Sequence, residues 1–168
     1  MTLAMTRSPS VNFFLAALAA GFATAPARAE GAAHLSRVER ALIRHVNDVR
    51  ADHGLGRVRA SGALSRAADS HSRDMLRRDF FDHTSSDGTP FDRRIRRYAD
   101  ARMVGENLAA IGRRRGGAGT IVRMWMNSPG HRAVLLSSDY RRIGIARRWG
   151  TLGGSREAVV TADFASRR

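Results

Sequence analysis

Apolar residues recur at helical spacing through the first part of the chain and gather into strand-like runs toward its end. That order restricts the fold more than any other feature. "SRVE" (36–39) is a capping-box pattern, Ser36 followed three residues on by Glu39. It opens a stripe of Val38, Leu42, Val46 and Val49 that stops near "HGLG" (53–56), where glycines end a helix. A second helix is expected from about Ser61 to Asp79, with Leu64, Ala68, His71 and Met75 on one face. "FFDHTSSDGTP" (80–90) is dense in turn residues and reads as loop. "TPFD" (89–92) repeats the capping-box pattern with Pro90 at the first helical position, starting a short basic helix to about Tyr98.

A strand is expected over "GENLAAIG" (105–112), then a basic loop, "GRRRGGAG" (112–119). Residues 120–127 read as a helix carrying Ile121, Met124 and Trp125, and Ser128 and Pro129 form an N-cap and N1 pair for another helix through Leu136. "RIGIARRW" (142–149) and "REAVVTADFA" (156–165) read as strands joined through "GTLGG" (150–154). No internal repeat is present. Helices first and a small antiparallel sheet later make one α+β domain.

The first 29 residues stand outside that domain. Arg7 supplies a positive start, "FFLAALAAGFA" (13–23) an apolar core, and "ARA" (27–29) the small-x-small pattern of a secretory signal cleaved after Ala29. The apolar core is too short for the ~20 residues that span a bilayer. No cysteine stands at the cleavage point, which argues against a lipid-anchored lipoprotein. Residues 30–168 then form a single domain, expected to be secreted or periplasmic and long enough to bury ~68% of its unfolded surface. The chain has no cysteine, which removes disulfides, thiolate chemistry and cysteine metal sites.

All 29 basic residues are arginine. Without Arg7 and Arg28, which leave with the signal, 27 arginines face 15 acids, a formal charge of +12. Such a balance favours anionic partners, among them phospholipid headgroups and acidic polysaccharide. The arginines are dispersed, so a compositional preference for arginine on solvated faces explains much of the surplus. The expected patches are "RRIRR" (93–97), "RRR" (113–115) and the set Arg141, Arg142, Arg147 and Arg148. Export argues against nucleic acid as a physiological partner.

Glu106 heads an apolar run. An ionised carboxylate there costs several kcal/mol, roughly, unless something pairs with it. Of the six histidines, His34 lies in the tail, and His45 and His53 flank the first helix as surface or half-buried residues. His71, on an apolar helix face, is expected to bond a backbone carbonyl in the core. His83 and His131 stand in a loop and at a helix start, where functional side chains are commonly presented. At N3 of its helix, His131 is kept neutral by the helix dipole, the form that ligates a metal. Two His and one Glu match a zinc ligand set, although the spacing is long and no HExxH helix is present.

The ordered set "FFDHTSSDG", "GENLA", "WMNSPGHR", "YRRIGIA" and "VTADFA" resembles the CAP superfamily, in its bacterial SCP-like branch, over about residues 38–165. That group holds cysteine-rich secretory proteins, insect antigen 5 and plant pathogenesis-related proteins. The resemblance implies an α-β-α sandwich with a short antiparallel sheet between helical layers. It also implies a central cavity to which His83, Glu106 and His131 contribute, with Glu106 either hydrogen-bonding a protonated ring or sharing a metal, zinc being the candidate, with both histidines. A second glutamate often follows the Trp-bearing helix in the family. Here only Asn127 or Ser128 stands near that place, which weakens chemistry that needs two carboxylates. Asn107 is expected to tie neighbouring loop backbone through its amide.

The expected function is therefore a binding or interaction module for an envelope component, a lipid or another small ligand. A metal-assisted hydrolase using the same cavity is the runner-up, with Glu106 as third ligand or general base. No G-x-S-x-G nucleophile turn is present, and Ser128 is expected to act as an N-cap. A third alternative is that His83, Glu106 and His131 form a polar core that binds nothing. Aromatic residues are only 7% of the chain, so a large apolar groove is not indicated.

Overall fold

The computed structural model describes residues 35–112 and 117–167. The leader expected over 1–29, His34 and the arginines at 113–115 lie outside the described residues. The elements run α1 (Arg37–Asp52), β1 (Arg59–Ala60), α2 (Gly62–Arg78), α3 (Phe91–Arg96), β2 (Val104–Gly112), α4 (Ala118–Met126), α5 (Pro129–Leu136), β3 (Arg142–Leu152) and β4 (Ser155–Ala165). The capping box at Ser36 forms in both directions, with the Ser36 side chain accepting from Glu39 N and the Glu39 carboxylate from Ser36 N. Ser61 caps α2, which ends at Asp79 in the left-handed conformation.

Four strands make one sheet in the order β1-β3-β4-β2. β3 and β4 are a long antiparallel hairpin turned by Gly153 and Gly154, both at positive φ as a two-residue hairpin turn requires. β2 runs antiparallel to β4 along the open edge. The sheet is not wholly antiparallel, because the two-residue β1 pairs parallel to β3. So short a strand has no periodicity of its own and exists only through that distant partner.

Strand alternation divides the core into two layers. Ala109, Ile111, Ile143, Ile145, Ala158, Val160, Ala162 and Phe164 face α1, α4 and α5, packing on Leu42, Val46, Ile121, Trp125 and Leu135. The opposite face meets α2 and α3 through Leu64, Met75, Ile95, Leu108 and Val159. The result is an α-β-α sandwich. α2 lies directly on β3, where a Cβ at Gly144 would stand 2.1 Å from the Leu64 carbonyl carbon.

Several local expectations change. The α3 N-cap is Pro90, with no side-chain cap bond, so the capping box expected at Thr89 does not form. α3 ends at Arg96, and Arg94 within the expected basic patch is buried. Met124 of α4 points outward at 45% exposure, while Trp125 is buried and donates to Leu108 O at 2.8 Å. Of the second arginine set, Arg148 is paired with Asp69, and Arg142 bonds the carbonyls of Ser166 and Asp100.

Candidate functional site

β2 supplies the centre of the site because alternation sends Glu106 and Asn107 to opposite faces. Glu106 points toward α2 and α3 with its side chain wholly buried. Its Oε1 lies 2.8 Å from His83 Nδ1, in the loop after α2, and its Oε2 is ion-paired with Arg94 Nη2 of α3. Arg94 Nη1 donates to His83 O at 3.0 Å and to Ser85 Oγ at 2.8 Å. One guanidinium thus holds both the carboxylate and the loop that carries the histidine. A buried pair of this kind is costly to break, because removing one partner leaves a charge uncompensated.

Asp163 stands opposite Glu106 in the ladder, on the same face. It is fully buried, and among the described residues no donor group reaches either oxygen. Burial, then the neighbouring Glu106 charge, raises its pKa well above the ordinary carboxylate value, while Arg94 opposes the shift. The carboxyl therefore favours its protonated form, whose O–H can donate to Glu106. A second carboxylate is present after all, from β4 and not from the segment after α4. The signal was an acid inside the apolar run "VVTADFA", the same signal that marks Glu106.

The His83 ring is 48% exposed and edge-on to Phe91, with ring centroids 6.1 Å apart. Its pKa is raised, chiefly by the hydrogen bond to Glu106 and against a desolvation that lowers it. His131 is different. Its Nδ1 bonds Ser128 Oγ at 3.0 Å, and its pKa is lowered by burial and then by the charge on His83. The neutral ring expected from the helix dipole thus has other causes. Ser128 holds the N-cap position, yet its hydroxyl makes no cap bond. Asn107, on the far face of β2, donates to His131 O at 3.0 Å and so ties the strand to helix α5, instead of to the loop backbone expected as its partner.

His83 and Glu106 are therefore in contact. His131 stands near enough to feel the His83 charge but bonds Ser128. His71 is buried with Nε2 on Asp82 O at 2.9 Å, the core role expected of it, while His45 and His53 are exposed. Among the described residues, no three His, Asp or Glu side chains converge as a metal-binding group. Both Glu106 oxygens are committed, whereas each ring of His83 and His131 has Nδ1 on an oxygen and, among the described residues, no hydrogen bond at Nε2. Metal-ligating histidines can adopt such an orientation, with a carboxylate behind the ring as Glu106 stands behind His83. Arg94 had no signal in the sequence that set it apart from Arg93, Arg96 and Arg97.

No described helix is long and apolar enough to cross a membrane. Over 108 residues the chain is 34% identical to an uncharacterized membrane protein, YlbC, of Bacillus subtilis, and over 115 residues 32% identical to an uncharacterized protein, YkwD, of the same organism. These matches cover 64% and 66% of this chain but only 30% and 42% of the relatives. The fold is similar to that of an outer surface protein of Borrelia burgdorferi, with a TM-score of 0.65 at 22% identity, covering 77% of this chain and 92% of that one. The family model for cysteine-rich secretory proteins matches residues 43–164. The chain, although it has no cysteine, belongs to this CAP family.

Proposed function

We propose that the domain is an exported binding module that takes an anionic group of an envelope component against the exposed side of His83. The observation that carries this reading is the relay Arg94–Glu106–His83. Arg94 fixes Glu106, Glu106 holds the His83 proton on Nδ1, and the half-exposed ring is left with Nε2–H to donate outward. Arg94 and protonated His83 outweigh Glu106 by one positive charge, and Asp163 adds none while it is protonated. Neutral His131 beside them supplies a further ring nitrogen. The leader expected over 1–29 supports a secreted or periplasmic location, as does the likeness to a protein described as an outer surface protein.

A second reading, a metal-assisted hydrolase, is favoured by the anchored Nδ1 atoms. Zinc would be held by Nε2 of His83 and His131 and would supply a bound water of lowered pKa. Inorganic phosphate and zinc, titrated separately into the wild type, His83→Gln and His131→Gln, separate the two. The binding reading expects phosphate to shift the His83 ring nitrogens in NMR spectra and His83→Gln to weaken binding about tenfold, or ~1.4 kcal/mol. Saturable zinc binding lost in both variants would put the second reading in its place. No response to either probe would refute both.

A further inference from the structure

We infer that the cleft where β2 and β3 begin and β4 ends is a binding site for a phosphate ester. It has a volume of about 490 Å³ and is lined by Arg102, Arg141 and Arg167 together with Ser138, Asp139 and Ser166. The frame is held by backbone bonds: Ser166 N donates to Met103 O at 2.9 Å and Arg141 N to Ala165 O at 2.9 Å. Arg142 braces the same corner by donating to Ser166 O at 2.8 Å and Asp100 O at 2.6 Å.

The electrostatics single this cleft out. Arg73, Arg94 and Arg148 each have a carboxylate partner. Among the described residues, Arg102, Arg141 and Arg167 have none, and Asp139 is the one acid in the lining. Arg141 Nη1 bonds the carbonyls of Ser138 and Tyr140, which positions the head without neutralising it. Arginine heads from three segments face one space with a surplus of two positive charges.

Guanidinium forks match the paired oxygens of a phosphate. A carboxylate has two oxygens, too few for three forks, whereas a tetrahedral phosphate can satisfy several at once. The volume exceeds what phosphate alone needs and falls within the range of small-molecule pockets, so the ligand is phosphate joined to a small polyol. Met103 stands at the rim, 49% exposed, where the carbon portion of such an ester would lie. The chemistry is shared by a soluble glycerol phosphate and by an anionic phospholipid headgroup. His83 takes no part in this cleft.

The full chain is tested with glycerol 3-phosphate by calorimetry, and with phosphatidylcholine vesicles with and without phosphatidylglycerol by sedimentation. Arg102→Gln/Arg167→Gln removes two heads that make no described side-chain bond, and Arg77→Gln/Arg93→Gln removes the same charge elsewhere. The cleft variant should bind at least about tenfold more weakly with an unchanged Tm, while the control stays within about twofold of wild type. Binding of glycerol 3-phosphate identifies the headgroup chemistry as sufficient. Binding of the anionic vesicles alone, weakened by Met103→Ser, identifies the bilayer as the source. Equal losses in cleft and control variants, or no binding of either probe, would overturn the assignment.

Discussion

Replacing Glu106 and Asp163 singly and together tests how the buried site is held. Glu106 makes two charge-assisted contacts, with Arg94 and His83, and has no solvent to replace them. Contacts of this kind contribute about 1.5–3 kcal/mol each, and breaking a buried pair costs about 3–5 kcal/mol. Asp163 changes the outcome of Glu106→Gln. With the Glu106 charge gone, one of the causes raising its pKa disappears while Arg94 still lowers it, so Asp163 can ionise and become the counter-charge. Glu106→Gln should therefore cost about 3 kcal/mol, the lower end of that range. Asp163→Asn keeps the shape, supplies a permanent donor toward Glu106 and should be near neutral or stabilising at pH 7. The double variant leaves Arg94 with neither carboxylate and should cost about 5 kcal/mol, a coupling of about 2 kcal/mol.

Urea denaturation of the four proteins measures the cycle, and the pH dependence gives an independent check. A folded-state pKa raised above the unfolded value means that the folded protein binds the extra proton. The Asp163 contribution is thus full below pH ~3.9 and is lost as pH rises through the folded value. Asp163→Asn should flatten that decline. Losses that add within about 0.5 kcal/mol, with an unchanged pH slope, would refute the idea that Asp163 stands in for Glu106.

Further outcomes follow from other contacts. In ring-nitrogen NMR titrations, His83 should titrate above and His131 below the ordinary imidazole value, and Glu106→Gln should bring His83 down. The stabilisation from the His83 proton is full below pH ~6.5 and lost as pH rises through its raised value, so urea midpoints should fall across that window in the wild type and less in Glu106→Gln. Gly144→Ala should lower stability by about 3 kcal/mol or prevent folding, because its Cβ would meet the α2 backbone, which cannot move aside. Arg50→Lys should cost about 3 kcal/mol in thermal or urea unfolding, since one ammonium cannot serve the carbonyls of Gly56, Leu135, Ser137 and Tyr140 that the guanidinium reaches.

The fold could be read from the sequence where the information is local. The Ser36 capping box, the Ser61 cap and the alternation of the two final strands each depend on residues a few positions apart. The centre of the site was readable for a related reason, since a carboxylate in an apolar run must have partners. The partners themselves were not. Arg94 is one of four arginines in a five-residue stretch, and only the tertiary position of α3 makes it the buried one. Asp163 carries the same signal as Glu106, but its role depends on a cross-strand register fixed by pairing over more than fifty residues. Thr89 and Ser128 sit beside helix starts as expected, yet their hydroxyls bond Arg97 and His131, which local pattern does not specify.

The arginine surplus is best understood by what each guanidinium does, because one head offers five donors and can join segments far apart. Arg50 ties α1 to the end of α5 and to the start of β3 without meeting a carboxylate. Arg142 does the same between Ser166 and Asp100. In a chain without disulfides such heads act as cross-links, and their charge accompanies a structural task. A second group, Arg73, Arg94 and Arg148, is neutralised by acids. Among the described residues the remainder, including Arg77, Arg93, Arg102 and Arg167, has no carboxylate partner and can recruit an anion. Total charge therefore does not distinguish a recognition surface from a compositional bias. Position does, since Arg102 and Arg167 share one cleft with Arg141 while Arg93 lines neither that cleft nor the Glu106 site. A variant pair that removes equal charge from the two places isolates geometry from charge.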